Sequence, residues 1–193
     1  MGNNNKKLNT TFLIDEELLK MYSVMTRNVG VDKVLPYINL SQPFFIQPVL
    51  GDSLMYELQL QISENTLTDL NKGLILKIAP ALALWTDYLA ARSLAYTVTA
   101  KGITKEKSEN SESLDDKELA EYIHSIRENA EMATELLVEY LCKCQDSYPL
   151  WRPKSDCDCS KYLEENTGNA EIEQKFLIFC PTGRPSKCPK CDR

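Results

Sequence analysis

Histidine is nearly missing: His124 is the one copy in 193 residues. That leaves little for imidazole-based acid–base or nucleophilic catalysis. With only 7 glycines, the chain has no Gly-rich phosphate cradle, and it also lacks Gly-x-Ser-x-Gly and His-Glu-x-x-His. Gly51-Asp-Ser53 stands where a helix is expected to start, far from His124 in sequence. It reads as a helix cap and not as a hydrolase nucleophile. His124 itself reads as a boundary or surface residue of a helix. No enzyme is expected. Positive charge is also short, with 22 Lys and Arg against 28 Asp and Glu, a net of −6. Such a balance argues against a protein built mainly to grip phosphates.

Long uninterrupted apolar runs are absent too. The most apolar stretch, Leu74 to Val98, contains Lys77, Asp87 and Arg92, charges that are costly in a bilayer, so it is expected to be a core helix. Residues 1–7 are polar, without the apolar centre of a signal peptide, and Lys6 stands where acylation needs Ser or Thr. No membrane association is expected, and the default compartment is a reducing cytoplasm.

What is present favours helices. The length suits one compact domain with an appendage, burying about 70% of its extended surface. Asp15 is placed to cap a helix carrying Leu18, Leu19, Tyr22 and Met25, ended by Asn28 and Gly30. Asp32 is expected to cap a second helix carrying Leu35, Ile38 and Gln42, interrupted by Pro36, Pro43 and Pro48. After Leu50-Gly51-Asp52, Met55, Leu58 and Ile62 continue at helical spacing, and residues 63–73 read as a polar connector. The Leu74–Val98 helix is apolar on two stripes, with Leu82, Trp85 and Leu89 on one and Ala81, Leu84 and Tyr88 on the other. It must be covered from more than one side, as the centre of the subunit or as a contact between copies. Pro80 is expected to kink it or to begin its main part.

Residues 101–113 have one apolar side chain, Ile103, and read as an exposed, flexible connection. Ser113 with Asp116 resembles a capping box that opens the longest amphipathic pattern of the chain, over 114–144. Leu119, Tyr122, Ile123, Ile126, Ala130, Ala133, Leu137, Tyr140 and Leu141 are expected to form its apolar stripe, and a row of glutamates lies on its other face. Residues 101–146 carry a net charge of −6, against −1 before them and +1 after them. The acidity sits in one element, whose ordinary reading is a solvated helix face.

All 7 cysteines lie between Cys142 and Cys191, too few for a disulfide scaffold at this length. They make three close pairs, Cys142-Lys-Cys144, Cys157-Asp-Cys159 and Cys188-Pro-Lys-Cys191, with Cys180 apart. Cys-Pro-x-Cys aims two thiolates at one centre, so Cys157, Cys159, Cys188 and Cys191 are the candidate ligands of a structural zinc. Disulfides formed in an oxidising medium, or reduced thiols, are the competing readings. The fold class read from the chain is mainly α. A helical core with two long helices spans 1–145, and a small, irregular Cys-rich extension spans 146–193 with a short β segment at Phe176–Phe179.

Val34-Leu-Pro-Tyr-Ile-Asn-Leu-Ser-Gln42, Ile46-Gln-Pro-Val-Leu-Gly51 and Leu54-Met-Tyr-Glu-Leu58 resemble the opening of the head–tail connector family of Bacteroides phages. Leu76-Lys-Ile-Ala-Pro80-Ala-Leu-Ala-Leu and Thr99-Ala-Lys-Gly102-Ile, before a long terminal helix, are similar to that family's second half, with the ring or adaptor proteins of crAss-like phages as nearest kin. The likeness covers residues 10–145 and rests on the order of Pro, Gly and aromatic positions. Pro43 departs from it, since the family usually continues a helix there, and so does the cysteine-rich tail.

The resemblance implies a structural, non-enzymatic subunit of a ring, usually a dodecamer, below the portal protein. Such a ring extends the channel for double-stranded DNA, which passes without specific binding, and presents a platform to further ring or tail proteins. The chain would be made in the host bacterial cytoplasm and reside in the virion neck. Glu121, Glu128, Glu135 and Glu139 are then candidates to line the channel, because a negative wall repels passing phosphates. By the same analogy residues 146–193 dock on the portal through Tyr148, Trp151, Phe176 and Phe179, although a local minicore is an equal reading of these aromatics. The alternative from another class is a small zinc-containing regulatory or nucleic-acid-binding protein that works through its tail.

Overall fold

The computed structural model describes residues 11–24, 29–99, 102–105, 115–153 and 159–160. Helix starts follow side chains that accept from open backbone N–H groups. Asp15 accepts from Leu18 N–H and opens α1 (Glu16–Tyr22). The helix stops at Tyr22, earlier than its apolar spacing predicts, and Met25 to Asn28 lie outside the described residues. In α2 (Val31–Ser41) the cap is Gly30, so Asp32 sits inside the first turn, where its charge favours the N-terminal dipole.

The expected break at Pro43 is instead a widened turn. Residues Gln42–Ile46 form a π-helical segment in which Gln47 N–H reaches back to Gln42 C=O, and α3 (Gln47–Leu50) follows at once. Pro43 has no N–H to give, and the extra residue in the turn absorbs that loss without ending the helical path. Gly51 then turns the chain at φ 75°, ψ 159°, a backbone region essentially reserved for glycine, and α4 (Asp52–Ser63) begins.

The polar connector is shorter than read. Thr68 Oγ1 accepts from Asn71 N–H and starts α5 (Asp69–Leu94), which takes in Asn71, Lys72 and Gly73 and runs through Pro80 within one helix. Leu74, Ile78, Ala79, Ala81, Leu82 and Ala83 are all fully buried, so α5 is the centre of the subunit. Its length and composition would suffice to cross a membrane, but 67% of that window is buried inside this chain. The helix ends at Leu94, short of Val98, and Tyr96–Thr99 (β1) pairs antiparallel with Gly102–Lys105 (β2), Val98 opposite Ile103. Part of the expected flexible connection is therefore a hairpin, and the rest lies outside the described residues.

Asp115, two residues beyond Ser113, makes the capping box of α6 (Asp116–Lys143). Its side chain accepts from Glu118 N–H, and Glu118 accepts from Asp115 N–H. At 1.5 Å per residue this helix is roughly 42 Å long. It lies along α5, and Trp85 Nε1 donates to Thr134 Oγ1 across the seam at 2.9 Å. Phe45 stacks on Trp85 with ring centroids 3.8 Å apart, and Tyr88 meets both rings edge-on. Together these contacts join the π turn to the two long helices.

One core cluster runs from Leu13 to Cys159. The boundary expected at 145 does not divide it, because Tyr148, Trp151 and Cys159 belong to the same cluster as Leu50 and Leu82. The β segment expected at Phe176–Phe179 lies outside the described residues.

Candidate functional site: the long helix and its closed end

Glu121, Glu128 and Glu135 recur every seven residues along α6, and Glu139 follows four later. At 3.6 residues per turn these spacings put all four on one narrow strip, opposite the buried Ile123, Ile126, Ala130, Leu137 and Leu141. The strip is acidic but not bare. Lys117 lies 3.7 Å from Glu121, His124 Nε2 lies 3.4 Å from Glu128, and Lys143 pairs with the half-buried Glu139. Glu135 is exposed and has no ion-pair partner among the described residues. Neighbouring Arg127 donates to Glu131 at 2.7 Å, and that carboxylate raises the guanidinium's pKa by hydrogen bond and by charge. α6 keeps a net charge of −4.

Beside the acidic strip runs an apolar edge. Tyr122, Met132 and Leu136 are 42%, 62% and 54% exposed, unlike the rest of the helix's large apolar side chains. The Tyr122 hydroxyl is pushed up in pKa by partial burial first and then by the charge of Asp87. Asp87, fully buried on α5, accepts from Ser23 Oγ and from Val24 N–H, each at 2.6 Å. Its two carboxylate oxygens thus hold the chain as it leaves α1. Sequence reasoning treated Asp87 only as a charge unsuited to a membrane, and the helical pattern holds no sign of its partners.

At its C-terminal end α6 is closed by aromatics and sulfur. Gln145–Ser147 forms a single 3-10 turn that folds the chain back on the helix. Tyr148 is 2% exposed, its hydroxyl 2.9 Å from that of Tyr140 and donating to Leu70 C=O at 3.3 Å. Burial first, then the hydrogen bond and charge of Tyr140, holds this phenol far above its ordinary pKa. Trp151, 1% exposed, donates from Nε1 to Val49 C=O at 2.9 Å. Two residues expected to anchor a partner are therefore spent on this chain's own core, the minicore reading enlarged to the whole subunit. Phe176 and Phe179 lie outside the described residues.

Of the four candidate zinc ligands, the structure describes only Cys159. It is bonded to Cys142, with 5.5 Å between their Cα atoms. Cys144 is disulfide-bonded as well. Cys157, Cys188 and Cys191 lie outside the described residues, and with these bridges intact no three metal-ligating side chains among the described residues are free to hold an ion.

Elsewhere a groove of about 540 Å³ is lined by Phe12, Ile14, Leu18, Ile62 and Leu76, with Asp15 and Lys72 its only charged lining groups among the described residues. His124 is a surface residue, as expected, and Asp52 of the Gly-Asp-Ser sequence accepts from Gln47 Nε2 at a helix start.

A family model described as a family of unknown function, DUF6712, matches residues 46–161, more than half of the chain. The chain belongs to this family. The match begins in the π turn, takes in α3 to α6 and ends just past Cys159, so it includes Tyr148, Trp151 and the Cys142–Cys159 bridge. No curated protein and no solved structure matches the chain.

Proposed function

We propose that this DUF6712 protein is a structural, non-catalytic subunit of a tailed-phage head–tail connector. Copies close into a ring below the portal, extend the DNA channel and receive further ring or tail proteins at the virion neck. The observation that carries this reading is the division of α6 into three lengthwise strips: buried apolar, exposed acidic and exposed apolar. A subunit that must meet a copy of itself beside a channel needs one surface that adheres and one that repels phosphate. Met132 and Leu136 belong to the first, and Glu121, Glu128, Glu135 and Glu139 to the second. The resemblance of residues 10–145 to connector proteins supports the same reading. Docking on the portal is assigned to the chain beyond Cys159, since Tyr148 and Trp151 are committed internally.

Imaging of intact particles tests this. The expected result is a closed ring of this chain beneath the portal with the glutamate strip toward the lumen. A neck without such a ring refutes the function. A ring whose glutamates face outward refutes the channel assignment alone.

A further inference from the structure

The apolar groove lies on the side of α5 away from α6. It opens between the segment leading into α1, the end of α4 and the start of α5, and its walls include the half-buried Phe12, Leu18 and Ile62 and the exposed Leu76. Leu76 and Trp85 are nine residues apart on α5, about two and a half turns, and Trp85 is the residue that meets Thr134 of α6. Groove and α6 therefore occupy opposite faces of the central helix. On α6, Met132 and Leu136 stand about 200° and about 240° round from the buried Ala130, so they point away from α5. One subunit thus presents two apolar surfaces in opposite directions, a ridge of Met132 and Leu136 and a hollow of about 540 Å³.

We propose that the ridge of one copy seats in the hollow of the next, which makes this the ring-closing contact of the connector reading, on which the proposal rests. The charges of the hollow favour an apolar occupant. Lys72 Nζ donates to Asp69 at 2.8 Å and Asp15 accepts from Leu18 N–H at 2.9 Å, so both charged lining groups are engaged within their own chain. A hollow of about 540 Å³ holds on the order of 18 waters at about 30 Å³ each, and an apolar ridge releases them from apolar walls. Because the two surfaces differ and face opposite ways, the contact runs head to tail, and each copy keeps one ridge and one hollow open until a ring closes. The area points to a closed assembly and not to a pair. A stable pair buries about 800 Å² per partner. A contact one helix wide, about 10 Å, needs about 80 Å of α6 to supply that, and the helix is roughly 42 Å long. A single contact is therefore weak, and closure, which gives every copy two, holds the assembly.

Sedimentation velocity of the full chain, at concentrations up to about 1 mM, tests this. The expected result is a monomer when dilute and reversible self-association as concentration rises. Met132→Glu/Leu136→Glu removes the ridge and Leu76→Glu charges the hollow, all at positions more than half exposed. Each variant alone weakens association by more than about tenfold. Mixed, the two form a one-to-one complex and stop there, since each supplies the half that the other lacks and neither outer end is intact. A wild-type chain that stays monomeric throughout overturns the proposal. So does a variant that associates like the wild type, or a mixture that forms no heterodimer. Should a charged variant fail to fold, a photoreactive phenylalanine analogue replacing Met132 must cross-link to residues 12–18 or 72–76 of a second, isotope-labelled copy, and capture elsewhere refutes the contact. A neck ring that closes through other surfaces sinks this contact and keeps the function; complementing variants without a ring at the neck do the reverse.

Discussion

Removing the strap after α6 should damage the helical core itself. Cutting the chain after residue 145 deletes Tyr148 and Trp151, two of the largest fully buried side chains. Truncating one buried aromatic to Ala typically costs about 3–5 kcal/mol, so losing both costs roughly 6–10 kcal/mol. Leu70 C=O and Val49 C=O also lose their donors, although in the truncated chain water can reach them and lessens that part. The Cys142–Cys159 bridge closes a separation of 17 residues and would contribute about 3 kcal/mol more under oxidising conditions. Set against a total stability of about 5–15 kcal/mol, this brings the shortened chain to the edge of folding. A chain ending at 161 keeps all of these groups and should melt close to the full-length protein. Urea titrations followed by far-ultraviolet circular dichroism, with reductant present throughout, separate the aromatic contribution from the bridge. If the chain cut at 145 unfolds cooperatively within about 1 kcal/mol of the one cut at 161, the strap is not part of the core and this account of α6 is wrong.

Four smaller predictions use the same assay. Gly51→Ala meets no atom within 4 Å of its new Cβ, so its cost of about 1–3 kcal/mol comes from the φ of 75° alone; a neutral result would refute that backbone assignment. Asp87→Asn puts an NH₂ group where either Ser23 Oγ–H or Val24 N–H now donates, costing about 1–3 kcal/mol. Asp115→Ala breaks the capping box and costs about 1 kcal/mol, with hydrogen exchange speeding up first at the start of α6. For Tyr148 the folded pKa lies above the unfolded value of 10.0, so the neutral phenol's contribution is complete below that pH and is lost as pH rises beyond it. The decline should be steeper by about 1.4 kcal/mol per pH unit than in Tyr148→Phe.

Periodicity made the helical class legible, because burying one stripe of a helix leaves a 3–4 repeat in any sequence. Asp15 was readable as a cap for the same local reason. Boundaries were less so: Ser and Asp are both good capping residues, so the sequence alone does not choose between Ser113 and Asp115. Pro43 read as a breaker because a proline's cost is counted against an α-helix, whereas the widened turn lowers it. The candidate site split along the same line. The glutamate strip could be seen, since it is a pattern within one helix. The union of Cys142 with Cys159 could not, because Cys-Pro-x-Cys is the stronger local signal and nothing short of the fold brings the strap to the helix end. Tyr148 and Trp151 were found as large aromatics, but their partners Leu70 and Val49 are distant in sequence, so inward and outward readings looked alike.

The charge on α6 bears on the channel reading more sharply than the whole-chain value of −6. Lys117, His124 and Lys143 lie beside three of the four glutamates, and the two exposed pairs, at Glu121 and Glu128, contribute little to stability, so folding does not require them. Their effect is to lower the field that each subunit presents while leaving the strip lined with carboxylate oxygens. If copies close into the proposed ring, a net charge of −4 per helix would still sum to a wall that DNA phosphates avoid. A strip meant to bind a basic partner would instead leave its carboxylates unpaired, because each existing bridge must be broken before a new one forms. Glu135, the one exposed member without an ion-pair partner among the described residues, therefore separates the two ideas: Glu135→Lys should slow DNA passage through an assembled neck, yet leave the subunit's fold and ring closure unchanged.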